Sequence, residues 1–380
     1  MKRLFILAFL LCIYSGIHSQ PFAVGSRQLS FTDASRSRTI ATRVYHPATS
    51  AGSNKPFVTG AFPLIILGHG FSMSYDAYLN FADSLVPLGY IVVMPTTEVG
   101  PIPFPNHEDF ALDLRFLNSE IKSQNSLSTS IFYQHVTNES AIMGHSMGGG
   151  CTFLACENNS DVTTMVVFAP AETNTSAIAA ASGVTIPALV FSGENDGVTL
   201  PADNHIPMYN NLSSSCKTFV NIIGGGHCYY ALTNWACDFG ESTSSPQPTI
   251  TRTEQQIPVF NLLIPYLDGI LKNSLAASDT FISRLQSRTD ISYQRDCISS
   301  NPVRFLEETI ISPNPCPEVL FVADEIEPPF TYIITDISGR NIKNGISQLN
   351  FISVGDLYPG TYIINLENSN GRIHRKFMKE

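Results

Sequence analysis

The sequence predicts an α/β fold, a doubly wound and mostly parallel sheet, followed by a small all-β C-terminal domain. Three observations predict it. Short apolar runs alternate with helical stretches from residue 20 to about residue 300, the pattern of a parallel sheet covered by helices. One of those runs enters Gly144-His145-Ser146-Met147-Gly148, which opens a helix of small residues. From residue 312 the pattern changes to short alternating strands broken by turn residues.

The elements follow in chain order. Met1-Lys2-Arg3 precedes an apolar run over residues 4–13 that is too short to span a membrane. Residues 1–19 therefore read as a signal peptide cleaved near Ser19-Gln20. Strands are expected at residues 39–45, 64–67, 91–94, 141–143, 165–168, 188–191 and 218–223. Helices are expected at residues 78–87 and 108–122. In the second of these Phe110, Leu114 and Leu117 recur at helical spacing. Residues 242–249 read as a polar loop at the rim of the site, and 253–272 as a closing helix interrupted by Pro258 and Pro265. The expected domains are the signal peptide, an α/β domain over 20–300, a linker over 301–311 and the all-β domain over 312–380.

The chemistry lies in the turn at Ser146. Strand, sharp turn and helix force strain on the central residue, so its neighbours two before and two after must be small, as Gly144 and Gly148 are. Such a turn lifts Ser146 Oγ above the sheet and aims a helix N-terminus at a developing oxyanion. A glycine-rich turn of another α/β protein is the plain alternative, and the downstream residues argue against it. Glu194-Asn195-Asp196 follows the run ending at residue 191, and Gly224-Gly225-Gly226-His227 follows the next run. Nucleophile, acid, histidine is the chain order of α/β-hydrolases. Ser146 reads as nucleophile, His227 as general base and then acid, and Asp196 as the group that holds the imidazole. Glu194 is the nearest rival acid and Asp203 a weaker one.

Of the other histidines, His145 lies inside the turn and reads as lining the pocket. His69 belongs to the loop after the run at 64–67, and His18 to the removable segment. His46, His107, His135, His205 and His374 lack a strand-end setting with a paired acid. The two oxyanion N–H groups are expected from Met147, after the nucleophile, and from Phe71 in Gly68-His69-Gly70-Phe71. Phe71, Met147 and Tyr229 would line an acyl site suited to an apolar or aromatic ester.

Composition narrows the classes. A net charge of −10 argues against nucleic acid and against an anionic membrane surface as partners. Beyond the leader, no other stretch is long and apolar enough for a membrane span either. Cys12 leaves with the leader, and Cys316 belongs to the C-terminal domain. Cys151, Cys156, Cys216, Cys228, Cys237 and Cys297 remain, an even set that in an exported chain points to disulfides. Cys228 and Cys237 flank the loop after His227, where a bond from either would restrain it. Cys151 and Cys156 point apart on one helix and read as buried thiols or as partners of distant cysteines. No Cys-x-x-Cys pair is present, so no metal is expected.

The residues 144–150, 192–196 and 224–227 together resemble the dienelactone hydrolase, chlorophyllase and polyester hydrolase (cutinase-like) branch of the α/β-hydrolases. Arg38 to Pro47, with Tyr45-His46-Pro47, resembles that branch's opening strand. The resemblance covers roughly residues 25–300. It implies a serine carboxylic ester hydrolase without metal or organic cofactor, with Ser146, Asp196 and His227 as triad and Phe71 and Met147 as oxyanion amides. It departs at Ala169-Pro170-Ala171-Glu172, where polyester hydrolases of this branch usually carry a tryptophan. The single tryptophan, Trp235, comes after His227.

At the other end, Pro313-Asn314-Pro315, Asp336, Gly339-Arg340, Gly360, Tyr362 and Lys376-Phe377 resemble the type A sorting domain of the Bacteroidota type IX secretion system. That implies the type IX machinery as a partner. It also implies release or surface attachment in a Gram-negative bacterium of that kind, by way of the periplasm. A small substrate-binding β-sandwich is the alternative. The leading expectation is an exported, monomeric serine esterase. A polyester hydrolase, a peptidase and a catalytically dead surface-binding protein on the same scaffold compete with it.

Overall fold

The computed structural model describes residues 21–297, 304–305, 311–322, 328–337, 339–368 and 371–380. The expected signal peptide, Cys12, most of the expected linker and Ser338 of the expected Ser338-Gly339 turn lie outside these residues. The chain divides into two compact units at Cys297/Ile298.

The first unit carries β1 (Ala23–Asp33), β2 (Arg38–Ala48), β3 (Gly52–Ser53), β4 (Phe62–Gly68), β5 (Ile91–Pro95), β6 (Val136–His145), β7 (Thr164–Phe168), β8 (Ala188–Gly193), β9 (Cys216–Ile222) and β10 (Ile291–Cys297). They form one sheet in the order β10-β9-β8-β7-β6-β4-β5-β2-β1-β3. The run from β9 to β5 is parallel. β2 joins β5 antiparallel, β1 joins β2 antiparallel, and β10 closes the far edge antiparallel to β9.

The helices are α1 (Leu79–Leu85), α2 (His107–Gln124), α3 (Met147–Cys156), α4 (Ala177–Ala180), α5 (His205–Asn211), α6 (Trp235–Thr243), α7 (Arg252–Leu271) and α8 (Leu275–Ser287). β4 to β8 are buried on both faces, as a covered parallel sheet requires. Leu64, Ile66, Leu114 and Phe153 share one core layer with α2 and α3. Ile65, Phe81, Leu263 and Leu267 share the opposite layer with α1 and α7. Each such side chain contributes about 1.5–3 kcal/mol by leaving water.

Two expectations are corrected. The closing helix α7 is not interrupted, because Pro258 and Pro265 both lie inside it. Pro265 displaces the carbonyl of Asn261 from its helical hydrogen bond. That carbonyl instead accepts from Arg284 Nη1 of α8 at 2.6 Å. Beyond α7, the sequence reading also missed α8 and β10. β10 is an edge strand with a mostly exposed pattern, so it shows no alternation to read. Its last residue, Cys297, is bonded to Cys216 of β9.

The second unit is all-β. β11 (Arg304–Phe305), β14 (Phe330–Asp336), β15 (Asn341–Ser347), β17 (Gly360–Asn368) and β18 (Gly371–Lys379) form one sheet. β12 (Ile311–Ser312), β13 (Val319–Val322) and β16 (Phe351–Ser353) form another. Leu320, Ile334, Ile364, Leu366 and Phe377 make their core. The motif residues have structural work here. Asn314 Oδ1 accepts from Met378 N at 2.9 Å, and the Asp336 carboxylate accepts from both the backbone and the guanidinium of Arg340.

Candidate active site

Ser146 stands between β6 and α3 with φ 55° and ψ −120°, a conformation a non-glycine residue keeps only when its surroundings impose it. Those surroundings are backbone. A Cβ on Gly144 would lie 2.1 Å from Gly148 O, and one on Gly148 would lie 2.4 Å from Gly68 O. Any side chain at either position would force the turn open. Ser146 N donates to Phe168 O at 3.0 Å and Ser146 O accepts from Ala171 N at 2.9 Å, which locks the turn to the β7 end. Met147 is the first residue of α3, so its N–H has no partner within the helix. Ser146 Oγ makes no hydrogen bond to a described residue.

Asp196 and His227 follow β8 and β9, and the structure brings them together. His227 Nδ1 donates to Asp196 Oδ2 at 2.8 Å, with both side chains buried. Asp196 Oδ1 accepts from Val198 N and Thr199 N, at 2.9 and 2.7 Å. Burial pushes the Asp196 pKa up, but His227 and the Thr199 N–H outweigh it and hold that pKa below the usual carboxylate value. Burial pushes His227 down, yet the Asp196 carboxylate more than offsets that, leaving its pKa above 6.5.

The rival acids stand elsewhere. Glu194 is exposed and its Oε2 accepts from Gly224 N at 2.8 Å. Asp203 is exposed in the turn before α5. Neither makes a hydrogen bond to His227.

The segment carrying His227 is held by side chains that no local pattern announces. Gln255 of α7 pairs with both the N–H and the carbonyl of Gly226. Glu241 of α6 accepts from His227 N at 2.8 Å and Cys228 N at 2.6 Å. Burial raises the Glu241 pKa, and the two N–H groups only partly reverse that. Cys228 is bonded to Cys237 of α6, so the helix is fastened to the loop twice. Cys151 and Cys156 are buried thiols.

His145, expected to line the pocket, is fully buried with both ring nitrogens engaged. Nε2 faces His227 O at 2.9 Å and must carry the proton, so Nδ1 accepts from the Tyr78 hydroxyl at 2.8 Å. Tyr78 Oη in turn accepts from Gly70 N at 2.8 Å. This buried chain ties the Phe71 loop, the Ser146 turn and the His227 loop into one frame. Burial drives the His145 pKa to about 3, so the ring stays neutral. His69 is buried with its ring against the carbonyls of Gly70 and Thr97.

Phe71 is partly exposed, with its ring 5.3 Å from that of exposed Phe104. Tyr229 lines a 450 Å³ pocket with Asp238, Glu241 and Arg252, and the Arg252 guanidinium lies over its ring. His205, set aside in the sequence, lies with Nε2 3.6 Å from Asp196 Oδ2. Among the described residues no helix is long and apolar enough to cross a membrane, and no cluster of three metal-binding side chains occurs.

Comparison with known proteins agrees with this architecture. The PET hydrolase-like family matches residues 17–241, more than half of the chain. The secretion system C-terminal sorting domain family matches residues 311–380. Cutinase 1 of Thermobifida cellulosilytica is 33% identical over 88 residues, which is 23% of this chain and 32% of that protein. Cutinase of Thermobifida fusca (strain YX) is 33% identical over 88 residues, 23% of this chain and 28% of that protein. Cutinase est2 of Thermobifida alba is 22% identical over 183 residues, 47% of this chain and 57% of that protein. The chain thus spans about a third of the length of the first relatives it matches, and just over half of the last.

Proposed function

Because the chain belongs to the PET hydrolase-like family, we propose that it is an exported serine hydrolase of carboxylic esters, acting on apolar or aromatic substrates. The observation that carries the reading is a strained serine at a helix N-terminus combined with a buried Asp196–His227 pair on neighbouring strand ends. Ser146 Oγ attacks the acyl carbon while His227 Nε2 takes the hydroxyl proton. The Met147 and Phe71 N–H groups receive the oxyanion. His227 then gives its proton to the departing alcohol, leaving an acyl-enzyme. Water attacks next with His227 again as base, and release of the acid restores Ser146. Asp196 holds Nδ1–H throughout, so Nε2 is free to accept.

A polyester as substrate is favoured by exposed aromatics. Trp235 and Phe239 are 82% and 60% exposed on α6, with rings stacked at 6.1 Å. Phe71 and Phe104 form a second pair. Flat apolar rings of this kind suit a solid aromatic ester better than a small soluble one. The matched sorting domain supports export through the type IX machinery to the medium or cell surface.

The test is hydrolysis of p-nitrophenyl esters from acetate to palmitate, beside an amorphous aromatic polyester film, by the purified chain and its Ser146→Ala variant. Ester turnover lost in the variant is the expected result. Aromatic acids released from the film by wild type alone identify the polyester. Equal turnover by both proteins overturns the mechanism.

A further inference from the structure

We propose that Thr199 and His205 are positioning residues that aim the Asp196 carboxylate at His227 through a buried chain, Ser192–His205–Thr199–Asp196. The proposal rests on the reading of Asp196 as the acid of the triad.

The four side chains are all buried, so their polar atoms depend chiefly on one another for partners. Thr199 Oγ1 lies 2.9 Å from Asp196 Oδ2, 2.9 Å from His227 Nδ1 and 3.0 Å from His205 Nε2. On the far side of the ring, His205 Nδ1 lies 2.8 Å from Ser192 Oγ. One proton order satisfies every member. The Ser192 hydroxyl donates to His205 Nδ1, His205 Nε2–H donates to Thr199 Oγ1, and the Thr199 hydroxyl donates to Asp196 Oδ2. In the reverse order Thr199 would spend its single proton on His205. Asp196 Oδ2 would then be left with His227 alone.

The consequence is a carboxylate filled on both oxygens. Oδ1 takes the two backbone N–H groups and Oδ2 takes Thr199 and His227. Without His205, the Thr199 hydroxyl has another acceptor in Ala169 O at 3.5 Å, and the carboxylate gains a freedom to rotate. Burial lowers the His205 pKa to about 4, so the ring stays neutral and does not compete with His227 for the Asp196 charge. The other ionisable groups facing this cluster are His145, Glu241 and Tyr230.

The experiment compares Thr199→Val, Thr199→Ser, His205→Gln, Thr199→Val/His205→Gln and Asp196→Asn in the full chain, on a soluble ester across pH. Thr199→Val keeps shape and removes the donor. It is expected to lower kcat roughly 10- to 100-fold with KM little changed, by analogy with the loss of the outer partners that orient metal ligands. It also moves the acid limb of kcat/KM to higher pH, because a carboxylate with one donor fewer stabilises imidazolium more. Thr199→Ser restores both. The double variant is expected to be no worse than Thr199→Val alone, since His205 acts through Thr199. A Thr199→Val enzyme with wild-type kcat and pH limb, beside a crippled Asp196→Asn, overturns the chain and leaves the triad standing. Additive losses overturn the role of His205. An Asp196→Asn enzyme of wild-type activity overturns both readings.

Discussion

The two halves of the site are built by different means. The Ser146 half is a matter of steric exclusion between backbones, set by glycines two residues before and after the serine. Gly144 and Gly148 let backbone approach backbone, and the strained φ at Ser146 follows. The Asp196–His227 half is assembled by hydrogen bonds from side chains on separate helices. Glu241, Gln255 and His205 come from three different helices, and a disulfide fastens one of them. A locally built half tolerates no added atom. A half assembled at long range tolerates single losses in proportion to how many other ties remain.

The largest effects are expected at the serine turn. Ser146→Ala should lower ester hydrolysis by about 10⁴-fold or more, with the melting temperature near that of wild type. Gly148→Ala should destabilise the fold by more than about 3 kcal/mol in denaturant unfolding, since its methyl meets the Gly68 carbonyl. Mild destabilisation would show that the turn relaxes and that the two halves differ less than the geometry says. Across the site, Asp196→Asn should cost about 10⁴-fold in kcat by favouring the wrong His227 tautomer, with the fold intact. Glu194→Gln should cost only a few-fold, and a larger loss there would move the acid assignment.

The pH profile tests the long-range half without mutation. The Asp196 carboxylate favours the imidazolium and holds the His227 pKa above 6.5. The base must be neutral to act, so kcat/KM should rise with pH through a midpoint above 6.5. The sign for stability is the opposite. The His227 charge contributes stability below pH 6.5, and this is lost as pH rises through the folded-state pKa. Asp196, whose pKa is depressed, contributes stability at higher pH that is lost in acid. A midpoint below 6.5 would mean that desolvation, not the carboxylate, governs the base.

What could be read in advance divides along the same line. Gly144 and Gly148 report a steric need two residues away, so the turn was legible. Asp196 and His227 were legible as strand-end residues in a fixed chain order. Thr199 and His205 were not, because the irregular segment after β8 carries no period, and Glu241 and Gln255 were not, because their partners lie 14 and 29 residues away, too far for any periodicity to show. The interrupted helix at Pro258 and Pro265 was misread for the same reason, since Arg284 satisfies the freed Asn261 carbonyl from the next helix. α6 did leave a signal. Asn234 Oδ1 accepts from Ala236 N and Cys237 N, a helix start that the polar surroundings of Trp235–Thr243 obscured.

The two disulfides offer the finest test, because stability and activity should rank them in opposite orders. Cys216–Cys297 closes a loop with a sequence separation of 81 and ties β9 to the edge strand β10. Cys228–Cys237 closes one of only 9, beside His227. On chain entropy alone the first stabilises by about 4.5 kcal/mol and the second by about 2.6 kcal/mol. Replacing both cysteines of the first pair by serine should therefore lower the melting temperature more and leave kcat near wild type. Replacing the second pair should lower the melting temperature less, yet reduce kcat several-fold. The reduction stays modest because Glu241 still holds His227 N and Cys228 N through α6. Combining the second replacement with Glu241→Ala removes both ties, and the loss in kcat should then exceed the product of the two separate losses. A loss equal to that product would mean that the two ties act independently, and that the His227 loop is held mainly by Gln255.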